Sequence, residues 1–345
     1  MSCLLQGVNP LLSTEITYDI CNDSDIRKNN KRKGPEKPIK QMTVLGILPV
    51  AMPTPDYNPV LLETIHPHHK DNMIDFVEST HTYTVLDSEF SADIISVSTL
   101  VHQFFTAFDP DKILLKMTYS KQYGKYKGMT DDAIKQLWTD NGRAASSAGT
   151  AFHFLCECYC NGGLREELQY EDVYDRIEIK QFLKFYQEHI LQKGYIPFRT
   201  EMRLFTDKIT KICGTVDLLA IRHDHPPPEK CQGVLTLIDI DWKNSKQINI
   251  KSYNNQKGSG PCETLDDCNW SHYMLQQNMY KYILETWYGQ WEYKGQTFTK
   301  LNIEAMYLCV CHQNYGDSAK VVKLPVRTDL INSILEIRKK QLNKD

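Results

Sequence analysis

Val234 to Lys246 reads VLTLIDIDWKNSK, a run of β-favouring apolar residues that ends in an aspartate, a tryptophan and a lysine. In a strand the side chains alternate faces, so Asp241 and Lys243 project from one side while Ile240 and Trp242 project from the other. An acid therefore stands beside a base at the end of a buried strand. That pair is the smallest kit for metal-assisted phosphodiester hydrolysis. The carboxylate holds a hard divalent cation, and the ammonium neutralises phosphate charge or orients the attacking water. The same tripeptide also describes a plain ion pair at a strand end, so its meaning depends on its company.

Working outward, Phe198 to Phe205 and Ile212 to Arg222 also alternate, and with Val234 to Trp242 they predict three consecutive strands in an antiparallel meander. The HDHPPPEKCQG loop joins the last two. Downstream, the loop KGSGPCETLDDCNW leads to an amphipathic helix over Ser271 to Tyr288, then a strand over Asn302 to Cys311. Val321 to Val326 adds an edge strand and Asp329 to Leu342 a closing helix. Upstream, HTYTVL from His81 reads as a strand, and Val97 to Met117 as a helical pair broken at Asp109-Pro110. Thr130 is a good N-cap, Gly142 to Cys160 keeps a helical period, and Tyr170 to Gln192 reads as another helix. The core order is helix, three strands, helix, strand, which predicts an α/β (α+β) fold with a mixed sheet.

A chain of 345 residues with 41% hydrophobic content accommodates a single elaborated domain, placed at residues 76–345. Residues 1–75 read as a basic, loosely ordered N-terminal region: Arg27, Lys28, Lys31, Arg32, Lys33, Lys37 and Lys40 are interrupted by Gly34, Pro35 and Pro38. A chain starting near Asp71 is expected to stay folded. The net charge of -3, from 40 basic and 43 acidic residues, excludes nucleic-acid binding over the whole surface and confines it to a local patch. The 11 cysteines fit no zinc or iron–sulfur spacing and read as reduced thiols. With no secretory leader or membrane-length apolar run, the expectation is an intracellular, soluble protein of nucleus or cytoplasm.

The D-x-K strand has companions. His153 and Glu157 lie one turn apart on one helical face, where both can reach a cation, although a histidine on an apolar helix is also an ordinary core residue. Asp217, in CGTVDLLA, is flanked by apolar residues, and a buried carboxylate needs a cation, an arginine or several N–H donors. Glu201, in RTEMRLF, is either a ligand acting through water or a strand-entry charge. Gln276 and Tyr280 are again i, i+4, with side chains suited to phosphate and base contacts or to a plain helix surface. Lys125 and Lys127, interleaved with Tyr123 and Tyr126, and Lys246 beyond the D-x-K strand are candidate phosphate contacts.

The ordered segments GTAFHFLCE, CGTVDLL, LIDIDWKNSK and LQQNMYKYILE resemble the RecB-like exonuclease branch of the PD-(D/E)XK nuclease superfamily, with the greatest similarity to nucleases of large DNA viruses and protists. The resemblance runs from about His81 to the C-terminus and implies a restriction-endonuclease-like αβββαβ core. It implies Mg²⁺ or Mn²⁺ held by His153, Asp217, Asp241 and the Trp242 backbone carbonyl. Lys243 is then the catalytic lysine, Glu157 and Glu201 are auxiliary acids, and Gln276 and Tyr280 are substrate-side. DNA is the implied substrate, and replication or recombination proteins are the implied partners. Relatives often carry Leu where this chain has Gln277, which reads as a conservative change at a half-buried position. Some relatives hold an iron–sulfur cluster with closely spaced cysteines after the Gln-Tyr helix. Here Cys309 and Cys311 are the only two there, so no cluster is expected. The competing readings are a catalytically idle nucleic-acid-binding scaffold and a structure-selective endonuclease.

Overall fold

The computed structural model describes residues 61–77, 80–87, 90, 93–162 and 175–343. The basic stretch Arg27 to Lys40 and the start of the helix expected from Tyr170 lie outside them. In chain order the helices are α1 (Leu61–Ile65), α2 (Val97–His102), α3 (Pro110–Lys116), α4 (Thr118–Gln122), α5 (Asp131–Cys160), α6 (Ile177–Phe185, continued by a π turn), α7 (Asn269–Trp287) and α8 (Thr328–Leu342). The strands are β1 (Ile74–Val77), β2 (Thr82–Val85), β3 (Ile95–Ser96), β4 (Tyr195–Phe205), β5 (Ile212–Arg222), β6 (Val234–Lys243), β7 (Trp291–Tyr293), β8 (Gln296–Phe298), β9 (Lys300–Val310) and β10 (Lys320–Leu324).

The α5, β4, β5, β6, α7, β9 succession is the expected αβββαβ order, on a mixed sheet. Strands β4, β5 and β6 pair antiparallel, and β6 pairs parallel with β9, which pairs antiparallel with β10. β5 and β6 are buried along almost their whole length because helices cover both sheet faces, which is why they read as near-continuous apolar runs. Met274, Leu275 and Met279 of α7 fill one side with α2. Phe152 and Leu155 of α5, with Phe182 of α6, fill the other against Trp242 and Leu218.

Two local features shape the site. The β5–β6 ladder covers Leu218 to Ile221 against Leu237 to Ile240 and stops there, although β5 starts at Ile212 and β6 runs to Lys243. The strands part at that point, and β3 takes the vacated edge of β5 at Ile212 and Cys213. The second feature is Glu201, whose φ of 44° puts a non-glycine residue in left-handed backbone within β4. Residues two apart in a regular strand share a face. Here Val216 packs on the α7 side and Leu218 against α5 and α6, so the faces exchange beside Glu201 and Asp217.

Helix α5 begins at Asp131 and runs 30 residues, longer than the Gly142 start expected from its period. Thr130 caps it, its Oγ1 accepting from the Ala133 N–H at 3.2 Å, and Ile134 is buried beside Leu114 and Tyr126. With no proline to stop it, Gly142 and Gly149 each cost only about 1 kcal/mol and the helix continues through both.

The boundary expected at residue 75 falls inside β1. Leu62 is buried and its N–H donates to Asn161 Oδ1 at 3.0 Å. Arg199, 1% exposed, donates to the His66 carbonyl at 3.0 Å and to Asp71 at 2.9 Å, and pairs with Glu63 at 3.3 Å. Residues 61–75 therefore pack onto β4, and the expectation that a chain starting near Asp71 stays folded does not fit these contacts. The strand pattern missed α1 and β1 because both are too short to show a period.

Candidate active site

Extending the strand registers by one residue sets Glu201 on β4, Asp217 on β5 and Asp241 on β6 side by side across the sheet. The parting of β5 and β6 opens the gap they share. There Asp217 Oδ2 accepts from the Trp242 N–H at 2.9 Å. Lys243 faces the other edge, its carbonyl accepting from the Cys311 N–H at 2.8 Å. A strand residue's N–H and C=O leave from the same edge, so the Trp242 carbonyl also points into the gap.

From the facing helix α5, His153 brings Nδ1 to 3.5 Å from Asp217 and 3.7 Å from Glu201. These are close approaches of charge and longer than hydrogen bonds. The His153, Glu201 and Asp217 donor atoms all lie within 4.8 Å of one another, and Glu201 Oε1 is buried with no hydrogen-bond partner. One imidazole nitrogen with carboxylate oxygens suits a hard or borderline cation such as Mg²⁺ or Mn²⁺.

The expected metal set was His153, Asp217, Asp241 and the Trp242 backbone carbonyl. The structure gathers Glu201, expected as a ligand acting through water or a strand-entry charge, with His153 and Asp217, at the left-handed turn of β4. Asp241 stands outside that group. Its carboxylate meets Lys243 Nζ at 2.7 Å and accepts from Gln277 Nε2, also at 2.7 Å.

The electrostatics follow from burial among charges. Burial pulls the His153 imidazole down, but Asp217 and Glu201 outweigh it and hold its pKa at about 9. Burial raises Asp217 and Asp241 above the usual carboxylate range, with His153 and Lys243 opposing. Burial, with Glu201 adding to it, raises Glu157 to about 7. Burial alone would lower Lys243, yet Asp241 and Asp217 raise it above the lysine range, which makes it a held cation and a poor base.

These residues line a cleft of about 640 Å³, with Gln276 and Tyr280 in its wall. Gln276 Nε2 donates to Tyr280 Oη at 3.2 Å. Tyr280 itself is 4% exposed and packs on Gly214, where an added Cβ would come within 2.5 Å of its ring. Lys125, Lys127 and Lys246 are exposed and do not line the cleft; Lys125 lies over the Tyr126 ring at 5.2 Å.

Two residues escaped the sequence reading. Gln277, taken as a half-buried conservative change, is 1% exposed and bonded to Asp241. Only the docking angle of α7 decides which of two adjacent glutamines reaches the strand. Asp239 is fully buried, and neither carboxylate oxygen has a hydrogen-bond partner. Burial, with Asp241 and Asp217 near, keeps its proton on far above the carboxylate range. Its spacing from Asp241 was the available signal.

No protein-family model and no curated protein matches the chain. Among solved structures it is similar to a provisionally assigned exonuclease from Eubacterium rectale, at 11% identity and a TM-score of 0.27, over 78% of this chain and 85% of that one. A superposition that loose carries no argument about fold or chemistry. Among the described residues, no helix is long and apolar enough to cross a membrane.

Proposed function

We propose that the chain is a metal-dependent deoxyribonuclease, an exonuclease of the RecB-like kind, that hydrolyses phosphodiester bonds in the cleft between α5 and the parted strands. The observation that carries this reading is the His153, Glu201 and Asp217 group within 4.8 Å, beside a lysine held by Asp241 at 2.7 Å. A cation alone would suit many sites, and a lysine alone would suit many anions. Their adjacency suits a phosphodiester.

His153, Glu201 and Asp217 would hold the metal, with Asp241 and the Trp242 carbonyl as neighbouring oxygen donors. When bound, Mg²⁺ or Mn²⁺ supplies a Lewis acid for the phosphoryl oxygen and acidifies the attacking water. Lys243 offsets charge that builds on the phosphoryl group, and Asp241 with Gln277 fixes where that charge sits. Glu157, raised to about 7, is suited to exchange a proton near neutral pH at the cleft rim. Gln276 contacts the substrate from α7.

The test is incubation of end-labelled linear DNA and covalently closed circular DNA with Mg²⁺, Mn²⁺ or EDTA. Loss of linear DNA with circles intact is expected. Cut circles would instead support a structure-selective endonuclease. No cleavage of single- or double-stranded DNA or RNA in either metal would leave the idle scaffold.

A further inference from the structure

We infer that the cleft takes an unpaired nucleotide with its base stacked on an aromatic wall, so that the substrate is single-stranded or a frayed end and not intact duplex. The inference rests on the nuclease reading above.

The wall is built by the β1–β2 hairpin and by α5. Phe76, His81 and Tyr83 of the hairpin, with Phe154 of α5, line the same cleft as His153 and Asp217. The Phe76 ring lies 4.4 Å from the Tyr83 ring and meets the His81 ring edge-on at 5.7 Å, so three aromatic rings cluster at the cleft. Its place relative to the carboxylates is fixed. Tyr83 Oη is 2.9 Å from Thr215 Oγ1, two residues before Asp217 on β5, and Ile74 and Val85 anchor the hairpin on Phe205 and Cys213.

Phe154 is 42% exposed, although its helix has a buried face in Phe152, Leu155 and Cys156. Folding does not require a phenylalanine there. It lines the same cleft as His153, so a ligand on Phe154 shares the cleft with the candidate metal site.

Size and charge select the occupant. A cleft of about 640 Å³ falls in the range of small-ligand sites, about 300–1,000 Å³, so it can receive a nucleotide but cannot enclose a duplex. Bases inside a duplex have both faces covered, so these rings can meet only a base that has left the stack. The floor carries Glu201, Asp217 and Asp241, which repel phosphate when no cation is present. Arg203, Lys243 and a charged His153 also line the cleft and attract the phosphate of any nucleic acid alike, so a preference for an unpaired base must come from the aromatic wall.

The experiment is fluorescence anisotropy on the full chain in EDTA. The probes are labelled oligothymidylate, a duplex of the same length, an abasic strand of the same length, and oligouridylate to separate DNA from RNA as the source of the base. Wild type should bind oligothymidylate more tightly than the duplex or the abasic strand. Phe154→Leu, which keeps apolar bulk without a π face, should weaken single-strand binding about 5- to 100-fold, the range of one base stack. Phe154→Trp should retain it, and Phe76→Leu should weaken it independently. Duplex or abasic strand bound as tightly as oligothymidylate would overturn the inference, as would unchanged binding in both leucine variants. Because no metal is present, base-dependent binding without cleavage in any metal sinks the nuclease reading alone. Cleavage by a protein indifferent to Phe154→Leu and Phe76→Leu sinks only the stacking wall.

Discussion

The Asp217 carboxylate stands in for a missing strand: its Oδ2 accepts the Trp242 N–H at 2.9 Å where β5 and β6 have parted. Asp217 thus has a structural acceptor and a candidate metal ligand on one side chain, and two substitutions separate them. Asp217→Asn keeps an oxygen for the Trp242 N–H and loses the charge. It should fold with an unchanged melting temperature while Mn²⁺ binding by calorimetry and cleavage are lost. Asp217→Ala also orphans a buried N–H, which costs about 1–3 kcal/mol. Equal melting temperatures for the two variants would remove the structural role.

Glu201 holds left-handed backbone at φ 44°, a conformation that costs a non-glycine residue about 1–2 kcal/mol. The exchange of strand faces beside it and the cluster with His153 and Asp217 both use this turn, and glycine would adopt it without that cost. Glu201→Gly should therefore raise the melting temperature and abolish Mn²⁺ binding together. Glu201→Gln should lose metal affinity as severely as Asp217→Asn. A destabilised Glu201→Gly would show that the side chain supports the strand.

Lys243 and Asp241 neutralise each other in a buried pair at 2.7 Å. Lys243→Met keeps the aliphatic stem and removes the cation, which should slow cleavage by about 10²- to 10³-fold, the scale for one preorganised electrostatic group. It should also destabilise the fold by on the order of 3 kcal/mol, since Asp241 keeps Gln277 and loses its counter-charge. Adding Asp241→Asn should restore the stability and not the cleavage rate. Wild-type cleavage rates in Lys243→Met would mean that this strand is not the catalytic centre.

The sheet was legible because β5 and β6 are covered on both faces, so burial wrote itself into the sequence as apolar runs interrupted by Asp217 and Asp241. Thr130 was legible as a cap for the same local reason. Glu201 was not, because a left-handed φ leaves no mark on composition, and strand alternation assigned its side chain without the exchange of faces that brings it to His153. Gln277 was hidden by the docking angle of α7. The packing of residues 61–75 depends on contacts with Asn161 and Arg199, far along the chain, which no local pattern reports.

His68 gives the fold a pH dependence away from the catalytic cleft. Its ring lies 4.7 Å from Tyr288 and 4.8 Å from Trp291, and Nδ1 accepts from the Lys70 N–H at 3.2 Å. Burial, aided by the charges of His69, Lys70 and Arg199, lowers its pKa to about 3. The unfolded chain, near 6.5, takes up the proton first as pH falls. Its stabilising contribution is therefore complete above about pH 6.5 and shrinks as pH falls towards 3, by about 2 kcal/mol at pH 5. Urea melts at pH 7 and pH 5 should show this difference, and His68→Phe should reduce it by that amount. An equal pH response in the variant would place the titration elsewhere.

The segment that carries His68 also decides where the packed region begins. A chain starting at Asp71 loses Leu62, Glu63, the His66 carbonyl and the His68 ring. Arg199, 1% exposed, then keeps Asp71 at 2.9 Å but loses partners at 3.0 and 3.3 Å, and its guanidinium faces an uncovered hollow. Asn161 Oδ1 loses the Leu62 N–H, and Tyr288 and Trp291 lose the ring packed against them. Two broken buried hydrogen bonds, one weakened ion pair and one aromatic cavity sum to on the order of 5 kcal/mol. That is a large share of a domain's stability. A chain starting at Leu61 keeps all of these contacts. Thermal melts followed by circular dichroism should therefore separate the two chains by more than ten degrees, roughly what such a loss implies for a domain of this size, and coincident melts would show that residues 61–70 do not brace β4.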